Sequence, residues 1–446
     1  MSKRWAFLAF VMLFGCGSSS PEEPAAAPTL TPGGCGTSYE LLPPAGAVVT
    51  SSELTDEARA AQTVDTLLAF AGLSSLSPVP FGTRVFRVRY TTQDRGESVE
   101  ATGLVAVPWN EGEPAHDAPL LLELHGTTGF SGACAPSAPS SAHDVALGLT
   151  IFASQGFVVV APDFIGLDAD ADATKPPEPR HGYLSAEQVA LGSLDMVRAA
   201  RQLGDLPARP TKELYLWGAS QGGHAVFATE LYAPYYAPEY SVKGAVALVP
   251  PTDLLGLAQH ALTTPGPTTA ALAGAMVSLD RYYSDGSAIA ALLTQSYASQ
   301  LPALMDSECN PASVFDGVTD LSQVFQPEAL SHAQSESFDA FSPFGCYAAE
   351  NSFATTSVKR RSNTPFLFVL GENDDLVYSP VEREDFDRLC GQGYRMEYLE
   401  CQGAGHVEGA TWSIPEQLRW LRARRNAEPL TSVCQRGSAT SCEAQK

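Results

Sequence analysis

The chain has 446 residues, 44% of them hydrophobic, with 50 acidic against 27 basic side chains and a formal charge of −23. That apolar content supports one large packed domain with insertions, or two domains, and excludes a chain disordered throughout. The negative charge repels phosphate backbones and anionic membrane surfaces within a Debye length, which argues against nucleic acid as a partner and for a well-solvated surface.

The N-terminus carries an export address. Lys3 and Arg4 form a basic start, Trp5 to Phe14 is an apolar run, and the run ends in Leu13-Phe14-Gly15-Cys16. It is too short to span a bilayer, so residues 1–16 read as a bacterial lipoprotein signal in which Cys16 is lipidated and becomes the mature N-terminus. Ordinary signal cleavage is the alternative. The expected location is the cell envelope, with the outer membrane favoured, or the exterior, and membrane contact is expected only through the lipid. Residues 17–38 are rich in Ser, Pro, Ala and Gly and read as a flexible tether. Catalytic-domain sequence is then expected over 39–252 and 364–446, with a cap over 253–363.

Eight cysteines remain: Cys35, Cys134, Cys309, Cys346, Cys390, Cys401, Cys434 and Cys442. An even number in an exported chain predicts up to four disulfides. Connectivity is open, although short separations favour Cys390 with Cys401 and Cys434 with Cys442. No C-x-x-C or Cys/His cluster occurs, so no metal site is expected.

Short apolar runs alternating with helical stretches predict a mostly parallel, eight-stranded sheet covered on both faces. Val85–Tyr90 and Ser98–Pro108 read as an opening hairpin. Pro119–His125, Gly156–Ala161, Glu213–Gly218, Lys243–Val249, Pro365–Gly371 and Arg395–Glu400 follow as core strands. Between the fourth and fifth strands, Ser185–Leu203 has helical spacing, with Ser185 as N-cap and Gly204 as stop. Asp253 to Asn363 lacks a strand pattern and is too long for a structureless loop, so a helical cap is expected between the sixth and seventh strands. Asp168, Asp170 and Asp172 resemble the start of a calcium loop, but Ala173 stands where Gly is needed and Pro179 where Glu is needed, which favours a solvated acidic loop.

Gly218-Ala219-Ser220-Gln221-Gly222 is a G-x-S-x-G pattern, weak evidence by itself. Its context strengthens it: Leu214-Tyr215-Leu216-Trp217 precedes as a strand and Gly223 to Ala228 follows as a helix, the order of a nucleophile elbow. Ser220 is the expected nucleophile. A serine hydroxyl needs a base to take its proton. Of the eight histidines, His406 stands after the last strand in Gly403-Ala404-Gly405-His406, before a helix expected at Thr411–Arg424, and is the candidate base. His224 is expected to pack or cap on the elbow helix. The base needs an acid to hold its tautomer. Gly371-Glu372-Asn373-Asp374-Asp375 follows the seventh strand, and motif alignment favours Asp374, with Asp375 and then Glu372 as alternatives. An oxyanion hole is expected from the backbone N–H of Gln221 and of Thr127, in the His125-Gly126-Thr127-Thr128-Gly129 loop after the third strand.

With these residues in order, the chain resembles the lipase/esterase branch of the α/β-hydrolase superfamily, specifically the secretory lipases of bacteria and fungi. The resemblance rests on His125-Gly126-Thr127, on Ala161 to Leu167, on His181-Gly182-Tyr183-Leu184, on Asp195 to Ala200, on Trp217 to His224 and on Val249 to Leu254, and spans about residues 85 to 425. It departs at Gly166-Leu167-Asp168, where the family has Gly-Leu-Gly, and at His181-Gly182-Tyr183-Leu184, where the family has His-Pro-Tyr-Leu. It implies carboxylester hydrolysis of an ester or lipid substrate under a helical cap, with no cofactor, and a monomer is expected. A serine peptidase of the prolyl-oligopeptidase type shares the Ser, Asp, His order, but no region large enough for a propeller precedes residue 85. A non-catalytic binding lipoprotein on the same fold is the third reading.

Overall fold

The computed structural model describes residues 30–170 and 178–445. The signal segment with Cys16, most of the tether, and Asp172 lie outside them. In chain order the elements are β1 (Val48–Glu53), α1 (Ala61–Phe70), β2 (Gly82–Asp94), β3 (Glu97–Trp109), β4 (His116–Leu124), α2 (Ala142–Ala153), β5 (Val158–Pro162), α3 (Ala186–Ala200), β6 (Ala208–Ala219), α4 (Gln221–Tyr236) and β7 (Ser241–Leu248). Then come α5 (Leu254–Ala261), α6 (Pro267–Tyr283), α7 (Ile289–Leu292), α8 (Gln295–Ser307), α9 (Pro327–Gln334), α10 (Phe344–Glu350), β8 (Pro365–Gly371), α11 (Ser379–Gly391), β9 (Arg395–Cys401), α12 (His406–Thr411) and α13 (Ile414–Arg425).

The strands form one sheet in the order β1-β2-β3-β5-β4-β6-β7-β8-β9. From β5 through β9 every neighbouring pair is parallel, while β1, β2 and β3 join antiparallel at the other side. This is an α/β-hydrolase fold. The sheet has nine strands rather than the expected eight. The extra one, β1, is an edge strand whose residues are mostly exposed, so it has no hydrophobic alternation to betray it; its pairing with β2 makes it a strand. The central runs Leu120–Leu122 and Val158–Val160 are fully buried because helices cover both faces. Leu191, Phe227 and Phe386, from α3, α4 and α11, pack on one face, and Val64, Leu149 and Leu418, from α1, α2 and α13, on the other.

α3 begins after Ser185, as the spacing predicts, but the Ser185 hydroxyl is buried and makes no capping bond. All but one residue of α3 is buried, since it is wedged between β2 and α4. Its Asp195 accepts from Thr92 Oγ1 (2.8 Å), the Tyr236 hydroxyl (2.8 Å) and the Ala45 amide (3.1 Å), which satisfies a buried carboxylate with several donors.

Six helices, α5 to α10, fill the stretch between β7 and β8, with a core of their own around Leu272, Met276, Phe325, Phe344 and Tyr347; Tyr183, Leu184 and Val377 enter that core from the body. The acidic loop is not simply solvated. Arg89 forks onto Asp168 at 2.6 and 2.9 Å and also reaches Asp170 at 2.9 Å, so these two carboxylates are ion-paired.

Among the described residues four disulfides form, with pairings other than the short ones expected. Cys390 joins Cys434 and Cys401 joins Cys442. Cys390 lies at the end of α11, before β9, and Cys401 at the far end of β9, a seven-residue strand whose ends are about 20 Å apart, beyond the reach of a disulfide. Cys134 joins Cys309, and Cys35 joins Cys346 on α10. The last bond corrects the tether: residues near Cys35 are docked, and Gly33 N–H also donates to Glu187 at 3.2 Å. Composition predicts flexibility there, but a crosslink overrides composition.

Candidate active site

The first candidate residue stands at the turn from β6 into α4. Ser220 has φ 57° and ψ −121°, a left-handed conformation that costs a non-glycine residue of order 1–3 kcal/mol and persists only where surroundings enforce it. Its N–H donates to Leu248 O at 2.9 Å, which pins the turn to the end of β7. Gly222 is required two residues on: a Cβ there would lie 1.8 Å from Leu124 O. The tight crossing aims the first turn of α4 at the rim of the sheet, with its unpaired N–H groups and the positive end of the helix dipole.

Neighbouring strand ends are tied together along that rim. Val249 N–H donates to Val369 O at 2.7 Å, Glu372 N–H to Cys401 O at 3.1 Å and Asn373 N–H to Ala404 O at 2.8 Å. The carboxyl ends of β6, β7, β8 and β9 are therefore joined by main-chain bonds, and Ser220, Asp374 and His406 all follow these ends. Asp374 is buried. Its Oδ1 accepts from the amides of Leu376 and Val377, both at 3.0 Å, and its Oδ2 accepts from His406 Nδ1 at 2.6 Å. With Nδ1 donating, the Nε2 lone pair of His406 is left for a proton from elsewhere. His406 was expected in a loop and is the first residue of the short helix α12. Asp375 and Glu372 do not take this place: Asp375 offers its backbone carbonyl to Thr268 at 2.9 Å, and the Glu372 carboxylate accepts from Gly403 N–H at 2.7 Å.

Among the described residues no hydrogen bond joins His406 to the Ser220 hydroxyl. Such contacts commonly close only in the substrate complex. Gly126 approaches from the end of β4, where a Cβ would lie 3.8 Å from Ser220 Cβ, and Thr127 follows it at the surface. Among the described residues neither the Gln221 nor the Thr127 amide donates to another protein group. Ser220 also lines a cavity of about 60 Å³ with Leu184, Leu254, Leu272, Met276 and Val377. Thr127, Tyr183, Ala271 and Leu376 line both this cavity and a larger one of about 760 Å³ under the cap, which extends past Phe130, Asn310 and Phe315.

The family model for secretory lipases matches residues 144–433, which contain Ser220, Asp374 and His406. The chain belongs to the secretory lipase family. As a member it is a carboxylic ester hydrolase of the α/β-hydrolase superfamily. Its fold is similar to that of the rice cell wall degrading esterase LipA from Xanthomonas oryzae, with TM-score 0.67, 20% identity, and 85% of this chain and 97% of that chain covered. It is also similar to Candida antarctica lipase A, with TM-score 0.66, 16% identity, and 89% and 85% covered. No curated protein matches the sequence itself. The secretory family and four disulfides fit work outside the cytoplasm, and no described helix is long and apolar enough to cross a membrane.

Two histidines of this lipase-family chain complete the surroundings. His224 is buried on α4 with Nε2 2.9 Å from Asn351 O, and burial pushes it down to about 4, so it packs as expected. His181 was legible only as part of a family motif. It is buried against Gln221, and nothing in local spacing marks it, because its contact is made across 40 residues of chain.

Proposed function

We propose that the chain is a serine esterase that works through an acyl-enzyme, with Ser220 as nucleophile, His406 as general base and acid, and Asp374 as the group that orients the base. Ser220 Oγ attacks the ester carbonyl carbon while His406 Nε2 takes the hydroxyl proton. The carbonyl π electrons move to oxygen, and the N–H groups of Gln221 and Thr127 donate to the resulting oxyanion. The tetrahedral adduct collapses, the C–O bond to the alcohol breaks, and His406 returns its proton to the leaving oxygen. Water, deprotonated by His406, then attacks the acyl-enzyme and releases the acid and Ser220. Asp374 holds the imidazole in the tautomer this needs and stabilises the imidazolium.

The observation that carries the reading is the strained turn at Ser220, with its unpaired helix amides, on the same rim as the 2.6 Å Asp374–His406 pair. The test is p-nitrophenyl butyrate hydrolysis by Ser220→Ala protein, expected to fall at least about 10³-fold. A rate within tenfold of wild type would exclude the assignment, and peptide amides assayed beside esters would expose a peptidase. We further propose that Cys16 carries lipid and that the chain works from the cell envelope. Radiolabelled palmitate should enter the wild type and not Cys16→Ser; equal labelling would remove the anchor.

A further inference from the structure

We propose that the segment His181–Tyr183 positions both halves of the oxyanion hole at once, and that Ser278 of the cap holds this segment in place. The inference rests on the assignment of Gln221 and Thr127 as oxyanion donors. The first link is His181. Its Nδ1 lies 3.1 Å from Ile165 O, and a carbonyl only accepts, so Nδ1 carries the hydrogen. Nε2 of the same ring lies 2.7 Å from Gln221 Nε2 and must accept from that amide. Reversing the Gln221 amide would set oxygen against a lone pair, or demand an imidazolium. Burial forbids the imidazolium by pushing His181 down to about 3. The neutral ring thus fixes the side chain of the residue whose backbone N–H faces the oxyanion.

The second link is Tyr183, whose hydroxyl accepts from Thr127 Oγ1 at 3.1 Å. Two residues of one short segment therefore grip residues on two different elements, the loop after β4 and the first turn of α4. A ring stack reinforces the arrangement from behind. His125, two residues before Thr127, stacks on Phe164 at 4.2 Å between centroids, and Phe164 lies parallel to His181 at 5.9 Å.

The segment is itself clamped by one hydroxyl. Ser278, buried on α6, accepts from Tyr183 N–H at 2.8 Å and donates to His181 O at 2.7 Å. Between them Gly182 donates to Gln188 Oε1 at 2.6 Å, and a Cβ at this position would lie 2.5 Å from that oxygen. A proline at this position would have no N–H and could not make this bond. Displacements well under 1 Å matter because an oxyanion donor acts over a narrow distance range, and losing one donor costs about 10²–10³ in kcat.

These are positioning residues, so the readout must separate position from stability. His181→Phe keeps the ring stack and loses the acceptor; Tyr183→Phe loses the Thr127 contact; His181→Gln restores an acceptor oxygen. Per folded molecule, counted by circular dichroism, His181→Phe should lower kcat on p-nitrophenyl butyrate about 10- to 100-fold. Tyr183→Phe should lower it about 3- to 10-fold, with KM within about threefold in both, and His181→Gln should recover most of the loss. The thionoester analogue provides the independent arm, because sulfur accepts hydrogen bonds poorly. Wild type should favour the ester over the thionoester, and both Phe variants should compress that preference. If wild type shows no such preference, the oxyanion assignment fails and this proposal with it. If the preference is present and the Phe variants keep both kcat and the ratio, the positioning role alone is overturned. Should His181→Phe not fold, Tyr183→Phe and Ser278→Ala carry the same two outcomes.

Discussion

In the body, the rim that carries Ser220, Asp374 and His406 is tied by main-chain hydrogen bonds between neighbouring strand ends. The cap meets the body through side chains and through two disulfides of long sequence separation: Cys134–Cys309, separation 175, ties it to the loop after β4, and Cys35–Cys346, separation 311, ties α10 to the N-terminal segment. A ladder of backbone bonds holds its register whatever the surface residues are, whereas a cap docked by a few side chains depends on each of them. The candidate catalytic groups should therefore fail by chemistry when altered, and the cap by geometry.

The largest effect is expected in the body. Asp374→Asn can no longer hold the His406 tautomer, and kcat on a p-nitrophenyl ester should fall about 10³-fold, roughly 4 kcal/mol, with little change in melting temperature. A loss below tenfold would mean that the 2.6 Å pair is not part of the machinery.

Next comes the crosslink between cap and body. Cys134→Ser with Cys309→Ser should cost about 2–4 kcal/mol of stability in chemical denaturation. It should also reduce activity per folded molecule, because Cys134 anchors the loop that begins at Thr127 and Cys309 lines the larger cavity. The matched pair Cys390→Ser with Cys434→Ser, at the end of α11 remote from the rim, should lose stability and keep its activity. Equal activity in the two double variants would erase the contrast between body and cap.

A smaller, pH-dependent effect is expected where the chain leaves β7 for the cap. Burial, with Asp253 nearby, pushes the Asp385 carboxyl up to about 6, and its oxygens make no well-aligned hydrogen bond although Arg388 Nη1 lies 3.1 Å away. A carboxyl raised in the folded state contributes its full stability below its unfolded value, near 4, and loses it as pH rises through about 6. Asp385→Asn should therefore gain about 3 kcal/mol at pH 8 and nothing below pH 4, measured by urea unfolding at both values. A gain of the same size at both would show that charge is not the cause.

The smallest effect belongs to the exposed Arg209–Asp117 pair at 2.8 Å. Arg209→Ala should change stability by less than about 0.5 kcal/mol in the same unfolding assay.

Local pattern was enough for the elements that bury one continuous stretch of chain. The apolar runs around Leu120, Val158 and Phe366, the elbow at Ser220, and the strand-end positions of Asp374, His406 and Thr127 are all written within a few residues of themselves, since a strand, a turn and a helix each leave a short periodic trace. β1 leaves none, because an edge strand exposed on its faces has no alternation to read. Disulfide partners depend on where whole elements end, which is why Cys390 finds Cys434 and not its neighbour in sequence. The docking of residues 33–37, the capture of Asp168 by Arg89, and the grip of His181 and Tyr183 on Gln221 and Thr127 are likewise contacts between distant segments. Periodicity reports how a residue is buried; only the packed chain decides against what, because partner choice is made by shape and hydrogen bonding between surfaces that do not exist until the elements have formed.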